Sequence, residues 1–126
     1  MNAPQRVLLV DDDADVRAVA TMALQLLGGM VVFAASSAVE AVGLLARSQP
    51  DIILLDVMMP DADGIVTYGM LRAAGTEAPI VFMSACVRTE DRARLIAIGG
   101  AGVIAKPFDP RTLSADLHAL WSVPRD

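Results

Sequence analysis

Several side chains in this sequence could act together on a phosphoryl group, provided the fold gathers them. Asp11, Asp12 and Asp13 are consecutive. Asp56 ends the run Asp-Ile-Ile-Leu-Leu-Asp, Ser84 ends Ile-Val-Phe-Met-Ser and is followed by Ala85, and Lys106 precedes Pro107. Clustered carboxylates repel and raise one another's pKa unless a cation neutralises them. Oxygen ligands with room for water suit Mg²⁺, a hard octahedral ion. A carboxylate beside a metal and an ammonium makes a site for phosphoryl transfer. The carboxylate attacks in line, the cations neutralise charge, and a hydroxyl and backbone N–H groups bond the remaining oxygens. Taken singly, each residue is ordinary: an Asp after a strand usually makes a turn or caps a helix, and a Ser does the same. The chemistry exists only if four separate segments end at one place.

The elements between these residues supply that condition. Val7 to Val10, Asp51 to Leu55 and Pro79 to Met83 carry continuous apolar runs that stop at polar residues, with weaker strand candidates at Met30 to Ala35 and Val103 to Ala105. Apolar runs without alternation read as strands buried on both faces of a parallel sheet. Helical patterns separate them. Val16, Val19, Ala20, Ala23, Leu24 and Leu27 form an apolar stripe, with Asp13 or Asp15 as cap and Gly28-Gly29 as stop. Ser36-Ser37 opens a second helix with Ala38, Ala41, Val42 and Leu45 on one face. Gly64 to Ala74 is a third, weakened by Gly69. Thr89 opens a fourth, with Glu90 and Asp91 in its first turn. Pro110 sits in the first turn of a fifth, which carries Leu113, Leu117, Leu120 and Trp121. Five βα units with right-handed crossovers predict an α/β fold, a doubly wound three-layer sandwich around a parallel five-stranded sheet. In such a sheet, ligands sit beyond the carboxyl ends of the strands, where the residues above would collect.

Composition narrows the function. The 126 residues suit a single domain spanning residues 1–126 with a core from about residue 6 to residue 121, and 55% of them are hydrophobic. A net charge of −5 and a pI near 4.6 argue against nucleic acid as a partner. The single cysteine, Cys86, excludes an internal disulfide and fits a reduced, cytoplasmic setting. The N-terminus has no signal-peptide pattern, and no apolar run has membrane-spanning length.

The segments Val-Leu-Leu-Val-Asp-Asp-Asp, Asp-Ile-Ile-Leu-Leu-Asp-Val-Met-Met-Pro-Asp-Ala-Asp-Gly, Pro-Ile-Val-Phe-Met-Ser-Ala and Gly-Val-Ile-Ala-Lys-Pro-Phe together resemble the receiver domain of bacterial two-component response regulators, the CheY-like family, from Val7 to about Leu120. The resemblance implies strand order 2-1-3-4-5. It implies that Asp56 is the phospho-acceptor and that Asp11 and Asp12, with Asp56 and the backbone carbonyl of Met58, hold Mg²⁺, for which Mn²⁺ can substitute. Lys106 would contact the phosphoryl oxygens, Ser84 would be the switch hydroxyl, and the Ala85 amide would stand beside it. A cis Lys106–Pro107 bond would aim the Lys inward, and Pro60 and Gly64 match the family's loop residues. The expected partner is a sensor histidine kinase or phosphotransfer protein. The expected output is a downstream protein, a homodimer or a phosphate relay, with the partner surface on the face of the fourth helix, fifth strand and fifth helix, where Arg88, Arg92 and Ile96 stand. Such a domain signals rather than acting as an enzyme, although it assists its own phosphorylation and dephosphorylation. Only one helix fits after Asp109, so no output domain is expected within the chain, which is either a stand-alone receiver or a piece of a longer protein.

Two departures stand out. Val103 occupies a position that is often Tyr or Phe in the family, so the usual aromatic swing is unavailable. Met58 and Cys86 stand where fast-dephosphorylating relatives often carry polar residues, which predicts a long-lived phosphoryl state. The rival readings are a pseudo-receiver that binds without being phosphorylated, which would normally lack a site residue, and a haloacid-dehalogenase-like phosphatase. The latter would use Asp11 as nucleophile and Asp13 as acid, but Asp15 stands where a Thr is expected. A calcium loop at Asp11-Asp12-Asp13-Ala14-Asp15 fails, because its sixth residue is Val16 and its twelfth is Met22. Asp61-Ala62-Asp63-Gly64 reads as a turn. Cys86 reads as an inert thiol, His118 as solvated, and Trp121 and the methionines as core.

Overall fold

The computed structural model describes residues 4–59, 63–85 and 88–122. Five strands and five helices alternate: β1 Arg6–Val10, α1 Ala14–Leu26, β2 Val31–Ala35, α2 Ala38–Ser48, β3 Ile52–Asp56, α3 Gly64–Ala73, β4 Ile80–Ser84, α4 Thr89–Ala97, β5 Gly102–Ala105 and α5 Leu113–Trp121. The strands are parallel in the order β2-β1-β3-β4-β5, as the resemblance implies.

Alternating strand residues feed two cores. Val7, Leu9, Ile52, Leu54, Val81 and Met83 pack on one side with Ala20 and Leu24 of α1 and Leu113 and Leu117 of α5. Leu8, Val10, Ile53, Leu55, Ile80 and Phe82 pack on the other with Ala41, Leu71 and Leu95 of α2, α3 and α4. This is why β1, β3 and β4 read as unbroken apolar runs: both faces are covered, and each buried aliphatic side chain stabilises the fold by about 1.5–3 kcal/mol. β2, at the sheet edge, is only partly covered.

The helix ends follow local chemistry. Asp13 caps α1, accepting from the N–H groups of Asp15 and Val16, and Ser37 caps α2 through the N–H of Glu40. Gly29 takes a φ of +63° where the chain leaves α1, a conformation that glycine adopts without steric penalty.

Three expectations need correction. The predicted stripe on α1 is narrower than the sequence pattern: Ala20, Ala23 and Leu24 are buried, but Val19 is 45% exposed and Leu27, past the helix end, is 60% exposed. Small alanines let α1 sit close to the sheet, which leaves its flanking apolar residues in solvent. The fifth helix starts at Leu113, not at Pro110. Asp109 Oδ1 accepts from Arg111 N and the Asp109 carbonyl from Thr112 N and Leu113 N, so Pro110 belongs to a turn before the helix. The methionines do not all pack the core: Met30, Met59 and Met83 are buried, whereas Met22 and Met58 are exposed.

Trp121 is half-buried against the α1–α5 core, and its Nε1–H donates to the carbonyl of Asp51 at 3.2 Å. His118 is exposed, as expected. Pro60, Asp61, Ala62 and Cys86 lie outside the described residues.

Candidate functional site

The carboxyl ends of β1, β3, β4 and β5 bring the candidate residues together. Asp11 follows β1, while Asp56 and Ser84 are the last residues of β3 and β4 rather than the first residues after them. Lys106 follows β5, and its backbone N–H donates to the Ser84 carbonyl at 2.9 Å, which ties the β4 and β5 ends. The Lys106–Pro107 bond is cis.

The centre is an acidic group with one ammonium. Asp11 is fully buried, Asp56 is 3% exposed and Asp12 is exposed. One carboxylate oxygen of each lies within 4.8 Å of the others, a spacing that could hold a metal ion. Lys106 Nζ is 2.8 Å from Asp11 Oδ2 and 3.2 Å from Asp56 Oδ1. Apart from that ammonium, Asp11 Oδ2 has no hydrogen-bond donor among the described residues, although it is buried. With the ammonium on one side, this buried charged oxygen still has lone-pair capacity that suits a divalent cation. The Met58 N–H reaches Asp56 Oδ1 at 3.4 Å, and the Met58 side chain points to solvent at 73% exposure.

The charges shape the titration. Burial pushes the Asp56 carboxyl above its ordinary range and the charge of Asp11 adds to this, while Lys106 and the Met58 N–H pull the other way without cancelling it. Burial works against the Lys106 ammonium, but its contact with Asp11 and the negative charges of Asp56 and Asp11 outweigh burial and raise its pKa. Asp56 is thus held as a partly desolvated carboxylate facing a cation.

Several supporting contacts have no sequence signature. Arg17 Nη1 donates to the Asp11 carbonyl at 2.7 Å, and the Asp13 N–H donates to Asp11 Oδ1 at 2.9 Å, so α1 braces the acidic turn. Gly64 lets α3 begin against the exit of β3: a Cβ there would lie 2.8 Å from Val57 Cα. Asp63 caps α3 through the N–H of Val66. Ser84 is buried at 5% and Ala85 is exposed, both at the β4 exit. Val103 is buried on β5, and its carbonyl accepts from Arg92 Nη1 at 3.3 Å. Ile96 on α4 and Arg88, the residue just before that helix, are exposed. None of the described helices is long and apolar enough to cross a membrane.

Comparison with known proteins gives a consistent result. Residues 7–118 match a family model described as the response regulator receiver domain. The chain is 37% identical over 117 residues to the response regulator MprA of a Mycobacterium species, covering 93% of this chain and 50% of that protein. It is 33% identical over 122 residues to a probable transcriptional regulator, ycf27, of Guillardia theta, covering 95% and 46%. The chain therefore spans about half the length of the curated relatives it matches. Among solved structures, the chemotaxis response regulator CheY4 of Vibrio cholerae superposes with a TM-score of 0.84 at 29% identity, covering 94% of this chain and 99% of that one. A Francisella response regulator receiver domain superposes with a TM-score of 0.82 at 28% identity, covering 94% and 96%.

Proposed function

The chain belongs to the response regulator receiver family of two-component signalling, and on that premise we propose that Asp56 accepts a phosphoryl group from a sensor histidine kinase or phosphotransfer protein. The observation that carries this reading is the placement of Lys106 Nζ, 3.2 Å from Asp56 Oδ1 and 2.8 Å from Asp11 Oδ2, within a trio of carboxylates. Asp56 shares that ammonium with Asp11, and within the trio it is the carboxylate that ends β3 and has the exposed Met58 beside it.

Asp11, Asp12 and Asp56, with the Met58 carbonyl, would hold Mg²⁺ or Mn²⁺, which supplies charge neutralisation at the phosphoryl oxygens. Asp56 Oδ attacks phosphorus in line, and the bond to the donor nitrogen breaks. Lys106, whose pKa is raised by its contacts with Asp11 and Asp56, acts as an ammonium that neutralises phosphoryl oxygens. The Ser84 hydroxyl and the Ala85 amide bond the phosphoryl oxygens once the acyl phosphate forms. The new charge biases a pre-existing equilibrium of the α4–β5–α5 face, which then gains or loses a protein partner or a second copy. An apolar cleft of about 440 Å³ beside the site, lined by Val16, Val19, Pro107 and Phe108 among others, gives the phosphodonor a place to dock.

In this reading residues 6–121 act as one domain, the chain signals in the cytoplasm rather than turning over a substrate, and nucleic acid is not its direct ligand. The test is incubation with a small-molecule phosphodonor and Mg²⁺, followed by intact-mass and peptide mass spectrometry. A phosphoryl gain on the Asp56 peptide, absent in Asp56→Asn, is expected. Labelling of Asp11 instead would overturn the assignment in favour of phosphatase-like chemistry. No labelling of any carboxylate by kinase or small donor would favour a binding module that is never phosphorylated.

A further inference from the structure

Met58 is poorly explained by packing. It is 73% exposed at the rim of the site, whereas the adjacent Met59 is 7% exposed and belongs to the core. Its backbone N–H lies 3.4 Å from Asp56 Oδ1, so the residue stands beside the acceptor while its side chain faces solvent. We infer that Met58 is an oxidation site whose sulfoxide shortens the lifetime of the phosphoryl group on Asp56. The inference builds on the proposed role of Asp56.

The oxidation balances with a peroxide as oxidant. A sulfur lone pair attacks one peroxide oxygen, the O–O bond breaks and an S–O bond forms. Sulfur loses two electrons, and the peroxide is reduced to water. The product differs from the thioether in the property that matters here. A thioether is a weak hydrogen-bond acceptor, and a sulfoxide oxygen is a strong one on the same flexible side chain. Hydrolysis of the acyl phosphate needs a water whose oxygen bonds phosphorus while the bond from phosphorus to Asp56 Oδ breaks. The electron pair returns to the Asp56 carboxylate, and the water proton passes to solvent. A sulfoxide oxygen that accepts a hydrogen bond from this water holds it near the line of attack, which a thioether does not do. Enzymatic reduction of the sulfoxide restores the slow state, so the change is reversible.

The protein itself contains the controls. Met22 is 59% exposed on α1, and Met30, Met59 and Met83 are buried. Purified protein is treated with dilute hydrogen peroxide, mapped by peptide mass spectrometry, phosphorylated with acetyl phosphate and Mg²⁺, freed of donor, and followed by intact mass. Met58 and Met22 should oxidise before the buried methionines. The oxidised protein should lose its phosphoryl group about threefold faster or more, below the ~10²-fold of a true general base. Met22→Leu should respond like the wild type, Met58→Leu should give an oxidised-to-reduced ratio near one, and methionine sulfoxide reductase should reverse the acceleration. An unchanged decay rate after Met58 is oxidised overturns the inference. So does acceleration that persists in Met58→Leu, which would assign the effect elsewhere, Cys86 included. If Asp56 takes up no phosphoryl group before oxidation, the functional reading falls and the inference falls with it, a failure the first mass spectrum separates from the others.

Discussion

The Lys106 ammonium stands closer to Asp11, at 2.8 Å, than to Asp56, at 3.2 Å. This ammonium is thus shared unequally, and the carboxylate it serves less well is the one proposed to react. Asp11 is braced on three sides, by Lys106, by the Asp13 N–H and, through its carbonyl, by Arg17. Asp56 keeps a raised pKa because its burial and the charge of Asp11 exceed what Lys106 returns.

That imbalance predicts the pH dependence of Asp56→Asn. A carboxyl whose folded pKa is raised contributes stability below its unfolded pKa and loses it as pH rises through the folded value. At neutral pH the ionised Asp56 therefore destabilises the fold. Asp56→Asn should stabilise the protein at pH 7, seen as a rise in Tm. The gain should vanish as pH falls below the ordinary carboxylate range. Thermal unfolding followed by circular dichroism across that range checks it, and a gain that grows toward acid would contradict it.

Lys106→Ala should act in the opposite sense. It leaves Asp11 and Asp56 buried side by side with no cation, and removing one partner of a buried pair costs about 3–5 kcal/mol, less here because Lys106 is 18% exposed. The raised Lys106 pKa means the wild type keeps this stability at neutral pH and loses it only as pH rises through and above the ordinary lysine range. Urea unfolding at pH 7 and above pH ~10.5 should show the variant and the wild type converging on the alkaline side.

Divalent cation should stabilise the fold by mass action, by about 2.7 kcal/mol at a hundredfold excess over Kd, and so raise Tm. Asp11→Ala and Asp12→Ala should each abolish most of that shift, and Asp63→Ala, which removes only a helix cap, should not. A Mg²⁺ titration monitored by Tm decides this without any phosphorylation assay.

Ser84→Ala should separate phosphorylation from switching. Asp56 is still expected to be labelled, because Ser84 is not the nucleophile. The phosphorylation-dependent NMR shifts over α4 and β5 should be largely lost. Val103 cannot reproduce an aromatic swing, so shifts that survive in Ser84→Ala would show that a different element carries the signal.

The unoxidised wild-type protein should hold its phosphoryl group for minutes or longer after donor removal. Met58 has no strong acceptor with which to orient a water. A decay within seconds in Mg²⁺ would contradict this.

Much of the architecture was legible because parallel packing leaves a plain mark: β1, β3 and β4 are buried on both faces, so their apolar runs are unbroken. The candidate site was legible because Asp11, Asp56 and Ser84 stand where those runs stop. What escaped was set by three-dimensional crowding. Val19 and Leu27 share the helical period of Leu24 yet lie in solvent, because hydrophobic spacing does not say how wide a strip of α1 the sheet and α5 cover. The start of α5 escaped because Asp109 and Pro110 form a turn that resembles a helix start in sequence. Arg17 was silent as well, since nothing in its spacing foretells a bond to the Asp11 carbonyl.

The indole of Trp121 gives this molecule a built-in optical probe. It is the only tryptophan in the chain, and its N–H grips the Asp51 carbonyl. The Asp51 carboxylate in turn accepts from the N–H groups of Gln5 and Arg6. β3 starts one residue later and ends at Asp56, so the fluorophore reports from the opposite pole of the strand that carries the acceptor. Its emission can follow unfolding without a label, and a loss of the Asp51 contact would be read where β3 begins.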